Sequence, residues 1–552
     1  MCRKVLGAVL VIVFLVCDTA SAVQYAFQVN FTDKNNTPYS ISSPIVYLSS
    51  RALARRTLQG IPVDSTDLPV NPAYIDSVLN LTGGILHESS RWLNLCVILL
   101  SDSTQIHALN GKPFIRSTKY LAYYSSDLHH KSASGSAIVA KKTTSDNSYY
   151  YYTWDQTNMV SGYFLHDNGF KGAGKLIAVL DAGFIGTDTH PGFDSLRSSG
   201  RLLDVHNFTL AISNVYNSDT HGTEVLSTMA GYVPGTYVGS APLASYALYI
   251  TEDSGGENVV ELVNMLCGAE RADSLGADII TTSLGYNTFD DPAFNFNFPT
   301  DFNGITTVAA QAANIATKKG ILFVATAGNE GGGGWNMILT PGDADSALTI
   351  GSVDATGAVW PASGYGPNAA GQVKPDVCGM GHGGWTINPS GGYNPLDGTS
   401  ISTPQIAGWA ACLWQANPNA TTYQIRQGII RCASAYSAPT NHIGYGIPDF
   451  TCTEQLVNVK DTPAPFTPSN WVIASPNPFN NELRLEVAPD ATQNVDFSLA
   501  DMTGRKVYST RLYLCKGFNP PVTLSLPGLP AGVYVLKAVS AAQQQVLRLE
   551  KN

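Results

Sequence analysis

Five short runs in the middle of the chain, 175–181, 244–250, 277–284, 320–326 and 347–353, are almost continuously apolar and rich in β-branched residues. Runs without polar alternation mark strands buried on both faces of a parallel sheet. Helical stretches over 258–275 and 304–319 fall between them. Segment 151–460 therefore reads as an α/β domain, whose sites are expected beyond the carboxyl ends of its strands. The pattern changes on either side. Residues 23–150 hold a strand-like run, 92–100, and end in a polar Ser-, Lys- and Thr-rich stretch, 132–148, suited to exposure and cleavage. A proline-rich bridge, 461–470, is composed to stay extended. Beyond it, 481–487, 506–508, 522–526 and 533–537 alternate apolar and polar positions between Gly, Pro and Asn. Residues 471–552 accordingly predict a small β-sandwich.

The first 22 residues place Arg3 and Lys4 before an apolar run and end in Ala20-Ser21-Ala22, the layout of a secretory signal peptide. Export permits disulfides, and seven cysteines follow residue 22. Their odd number and wide spacing match neither a stapled miniature fold nor a metal site; one or two bridges among Cys378, Cys412, Cys432 and Cys452 are expected. With 552 residues, 44% hydrophobic and 13% charged, the chain has room for a large core. Its net charge of −10 argues against nucleic acid as a partner, because a polyanion demands a concentrated basic surface.

Candidate chemistry begins at DGTSISTPQIAG, 397–408, where Pro404 and the apolar run behind it predict a buried helix starting near Ser400. By itself Ser400 is a candidate N-cap, since such hydroxyls satisfy the first amides of helices. Two further stretches fall where the α/β plan expects a site. Asp181 closes a predicted strand ahead of Gly183, and His221 opens a predicted helix. Either could have a purely local role. Together the three are the groups acyl transfer requires: a hydroxyl, an imidazole to take its proton, and a carboxylate to orient the imidazole. They occur in the order Asp, His, Ser.

Four motifs in this order resemble those of the subtilisin-like serine proteases: Val179-Leu-Asp181-Ala-Gly183, His221-Gly-Thr223, Ala325-Thr-Ala-Gly-Asn329-Glu-Gly331 and Gly398-Thr-Ser400-Ile-Ser-Thr-Pro404. The resemblance runs over roughly 152–455. It implies a subtilisin-like fold, with a central parallel sheet and helices on both faces, preceded by an α+β prosegment. Asp181, His221 and Ser400 would be catalytic and Asn329 the oxyanion-hole donor. Ser283, Leu284, Gly285 and Leu339 would bind substrate, with glycines 331–334 beside them. The implied enzyme is a secreted serine endopeptidase made as a zymogen. It would act on protein or peptide substrates, with its own prosegment as intramolecular inhibitor. An inactive surface adhesin on the same fold and a secreted esterase with the same triad are the competing readings. The C-terminal stretches Ser475-Pro-Asn-Pro-Phe479, Asp501-Met-Thr-Gly-Arg505 and 529–537 resemble the type IX secretion sorting domain. They imply a partnership with outer-membrane secretion machinery.

Departures from the family pattern carry their own expectations. Ala182 replaces a hydroxyl residue beside Asp181. Glu224 stands one turn after His221 and is expected to favour the protonated imidazole. Ile401 follows the nucleophile in place of an oxidisable methionine. No charged residue aligns with the floor of the specificity pocket, so apolar or aromatic residues are expected on the acyl side of the scissile bond. No cofactor is required by this chemistry and no metal ligand is assigned; the family's structural calcium has no legible oxygen cage here, Asp343 and Asp345 reading as loop carboxylates.

Overall fold

In the computed structural model, residues 24–124, 148–209, 214–331, 338–458, 471–475, 477–491, 493–514 and 522–552 are described. The expected signal peptide, nearly all of 132–148, glycines 332–334, the expected bridge 461–470 and Cys515 lie outside them. The chain divides into two compact units at 454/455.

The centre of the first unit is a seven-stranded sheet. Its order is Val377–Met380, Leu348–Val353, Leu322–Thr326, Ile279–Thr282, Leu176–Asp181, Ser245–Ile250 and Leu202–Asn207. Every pairing is parallel. The five apolar runs supply its interior strands, and four of those strands are buried at every position. Helices Val260–Leu275 and Val308–Lys318 pack on it, within the predicted helical stretches. Helix Thr399–Ala416 is almost wholly buried and touches five of the strands, while His221–Ala230 packs against it.

The N-terminal region belongs to the same unit. Four strands, Gln24–Phe31, Ile85–Ser90, Leu95–Leu100 and Ile115–Tyr124, form an antiparallel sheet. Alternation decides what each face covers. Phe27, Val29, Phe31, Cys96 and Ile98 pack with Val78 of helix Pro72–Thr82. Ala26, Leu95, Val97 and Leu121 share one core with Val260, Val263 and Ala313. Charge reinforces this apolar contact: buried Asp273 accepts from Arg55, Arg56 and Arg91 of the N-terminal region, and Glu270 accepts from the Ser90 hydroxyl and the Arg91 and Trp92 amides. Buried ions persist only when paired in this way.

The second unit holds two antiparallel sheets of three and four strands around Trp471, Phe479, Leu485, Phe497 and Leu536, the predicted β-sandwich. Cys432 is bonded to Cys452, whereas Cys378 and Cys412 are free and buried; one of the expected bridges is present. Among the described residues no helix is long and apolar enough to cross a membrane.

Candidate active site

Asp181 is the last residue of its strand and His221 the first of its helix, so both stand at the carboxyl edge of the sheet. Two glycines let these termini meet. A Cβ on Gly183 would lie 2.2 Å from the Asp219 nitrogen, and one on Gly222 would lie 2.4 Å from the Gly183 carbonyl oxygen. Asp219 accepts from the His221 amide at 2.8 Å and so fixes the helix start. The result is a 2.7 Å hydrogen bond between His221 Nδ1 and Asp181 Oδ1. An ionised carboxylate only accepts, so Nδ1 carries the hydrogen and Nε2 is left for chemistry. Ala182 contributes only its amide, to Oδ1 at 2.8 Å, and Asp181 Oδ2 is buried without a hydrogen-bond partner.

Ser400 is the second residue of helix Thr399–Ala416. It is not the N-cap: that position is Gly398, and Asn329 supplies the capping oxygen from the loop after strand Leu322–Thr326. Asn329 Oδ1 accepts from the Thr399 amide (3.0 Å) and hydroxyl (2.8 Å). With its oxygen held, the amide's Nδ2 is left to donate elsewhere. Pro404 lies in the second helical turn. Having no N–H, it cannot bond to the carbonyl four residues earlier. That carbonyl belongs to Ser400 and instead accepts from Ser283 Oγ at 3.0 Å, while Ser400 Oγ donates to the Ser283 carbonyl at 3.3 Å. The proline thus leaves a carbonyl through which Ser283 is tied to the Ser400 turn.

These residues share one cleft of about 710 Å³, lined by His221, Ser400, Asn329, Ser283, Leu284, Gly285 and Leu339 among others. Of the sequence-assigned residues, Asp181 does not line it and lies fully buried behind His221, and Gly331 is not part of the lining. Ile401 is buried against Gly384. The sequence reading missed an acidic wall. Glu252, Asp253 and Glu257 follow strand Ser245–Ile250, the neighbour of the Asp181 strand, and Asp219 and Glu330 also line the cleft. Their position after a strand at the carboxyl edge is the signal that could have found them. Burial by itself would lower the His221 pKa, but Asp181, joined by Glu224 and Glu252, outweighs it and holds the imidazole above its ordinary range. Burial raises Glu224 to about 7, against the pull of His221. Among the described residues no group of three or more His, Cys, Asp or Glu side chains is arranged to hold a metal.

Comparison with known proteins gives the family. Residues 172–446 match the subtilase family. Subtilisin Savinase of Lederbergia lenta is 30% identical over 284 residues, 51% of this chain and 91% of its own length. The chain belongs to the subtilase family. An alkaline protease of Shouchella clausii is also 30% identical, with 64% of its length covered, and subtilisin DY of Bacillus licheniformis is 30% identical over 86% of its length. Residues 26–136 match the Bacteroidota peptidase S8 propeptide domain and 475–551 the secretion system C-terminal sorting domain. This subtilase is thus a serine peptidase with a propeptide, and it is exported, to be secreted or held at the cell surface.

Proposed function

We propose that the protein is a secreted serine endopeptidase that hydrolyses peptide bonds through Asp181, His221 and Ser400 by way of an acyl-enzyme. The observation that carries this reading is the 2.7 Å contact between His221 and buried Asp181 in a cleft that also presents Ser400 and Asn329.

In the proposed reaction Ser400 Oγ exchanges its contact with the Ser283 carbonyl for one to His221 Nε2. It then adds to the scissile carbonyl carbon as its proton passes to the imidazole. Asp181 holds the tautomer and stabilises the resulting imidazolium. The oxyanion is met by Asn329 Nδ2 and by the Ser400 amide, one of the first-turn donors that a helix leaves without an internal partner. The imidazolium returns its proton to the leaving amine as the C–N bond breaks, which leaves the acyl group on Ser400. Water then attacks the ester, giving its proton to His221, and Ser400 departs reprotonated. Every step uses side chains and amides of this chain, with no cofactor.

The same reading gives the flanking regions their work. The N-terminal region is the intramolecular inhibitor of the zymogen, seated on the helices behind the sheet. The C-terminal sandwich is the address read by the outer-membrane secretion machinery. N-terminal sequencing of the protein from cells making wild type or Ser400→Ala tests the proposal. Autocatalytic maturation gives a new N-terminus in the wild type and an unprocessed N-terminal region in the variant. Identical processing of both would remove the support.

A further inference from the structure

We propose that Leu339 closes the pocket for the substrate residue that carries the scissile carbonyl, so that this subtilase cleaves after small side chains. The inference rests on the serine-peptidase reading and narrows its substrate class.

The position of that residue follows from the groups around it. The scissile carbon must approach Ser400 Oγ, with its oxygen turned to Asn329 Nδ2 and the Ser400 amide. Two segments flank this point: Ser283–Gly285, whose first carbonyl lies 3.3 Å from Ser400 Oγ, and Gly328–Asn329. A side chain on the acyl residue either descends between these segments or turns out to solvent.

Leu339 occupies the space between them. A Cβ on Gly285 would lie 2.9 Å from Leu339 Cβ and 3.0 Å from its Cδ1. A Cβ on Gly328 would lie 2.6 Å from Leu339 Cγ and 2.8 Å from Cδ1. The isobutyl group therefore touches both walls, and neither has room for one more carbon. It is also held. Leu339 is 6% exposed. Its amide donates to the Ala327 carbonyl at 3.2 Å, and the carbonyl of the next residue, Thr340, accepts from Tyr286 at 2.9 Å. These bonds tie the Leu339 segment to one wall on each side. The space above it suits Gly, Ala or Ser, and an aromatic ring would have to displace a packed side chain. The sequence alone places Leu339 in the pocket wall and suggests apolar or aromatic preference; its contact with both glycines puts it across the gap instead.

The test uses peptides that differ only at the acyl-side residue, Ala, Leu or Phe, assayed on wild type, Leu339→Ala and Leu339→Gly, with active sites counted by fluorophosphonate labelling. Wild type is expected to favour Ala over Phe in kcat/KM by ~10-fold or more, and the variants to move that ratio toward Phe by ~10–100-fold, the range reached by small changes of pocket volume. A wild type that prefers Phe, or a ratio that does not move in a variant that labels, overturns the proposal. Profiling wild type on a mixed peptide library reads the same preference without any variant, so poor folding of Leu339→Gly cannot shield the idea. Labelling at Ser400 together with cleavage after Phe refutes the closed pocket and leaves the peptidase standing. Neither labelling nor cleavage refutes both.

Discussion

Asn329 and Thr399 are joined twice, the side-chain oxygen of Asn329 accepting from the Thr399 amide at 3.0 Å and from its hydroxyl at 2.8 Å. A residue from the loop after one strand thereby caps the helix that carries Ser400, and the cap fixes the direction of the Asn329 amide group. The cap and the proposed oxyanion donor are two ends of one side chain.

Asn329→Ala should lower kcat by ~10²–10³-fold with little change in KM, because the lost donor acts on charge present only in the transition state. Thr399→Val keeps the amide contact and loses the hydroxyl, leaving the Thr326 hydroxyl, which donates to it at 2.6 Å, without its acceptor. A smaller fall in kcat is expected, ~10-fold by loss of one hydrogen bond's alignment, with recovery in Thr399→Ser. Steady-state kinetics check this; an equal loss in Thr399→Ser would make Thr399 a packing residue only.

The pH dependence follows from the carboxylates around His221. The proposed base works when neutral, and Asp181, Glu224 and Glu252 all favour its protonated form, so the acid limb of kcat/KM should lie at higher pH than for an ordinary imidazole. Glu224→Gln removes one negative charge and should move that limb to lower pH. A limb that stays in place, measured from pH 5 to 10, would contradict the assigned coupling.

Among the described residues the cleft lining includes Asp219, Glu252, Asp253, Glu257 and Glu330 and no lysine or arginine. Peptides with Lys or Arg flanking the cleaved bond should bind better than Glu-bearing ones, by ~10-fold at low salt, the lower end of electrostatic focusing. Screening shortens from about 10 Å at 0.1 M to about 3 Å at 1 M salt, so the gap should shrink across that range. KM values for the two peptide sets at both salt concentrations decide it, and equal KM values at low salt would count against the acidic wall.

Asp273 is fully buried beneath three guanidiniums of the N-terminal region. Removing one partner of a buried ion cluster typically costs ~3–5 kcal/mol. Asp273→Asn, made in the Ser400→Ala background to prevent self-cleavage, should lower the Tm of the precursor by several degrees. Asp496→Asn, which breaks an exposed pair with Arg511, should leave it unchanged. Equal Tm values for all three would mean that the ion cluster does not hold the N-terminal region in place.

How much of this was legible in the sequence depended on how locally each feature is determined. The interior strands announce themselves because burial on both faces demands unbroken apolar runs. Strand Leu202–Asn207 does not, because at the sheet edge it can carry Asp204, His206 and Asn207. Asp181 and His221 stand at the ends of strongly patterned elements and were readable as a pair. The capping of Ser400's helix by Asn329 was not, since it joins residues 70 apart in the chain. The wall from Glu252 to Glu257 has no periodicity and became visible only when its strand took its place beside that of Asp181. Leu339 was assigned to the pocket, but its direction depends on Gly285 and Gly328, which reach it from the loops after two different strands.

Fluorophosphonate labelling followed by intact-mass measurement reads whether Ser400 is a nucleophile activated by His221. One covalent adduct on Ser400 is expected in the wild type, matched by loss of peptide hydrolysis, and no adduct in Ser400→Ala. An unlabelled, correctly folded wild type, or an adduct that persists in Ser400→Ala, would contradict it.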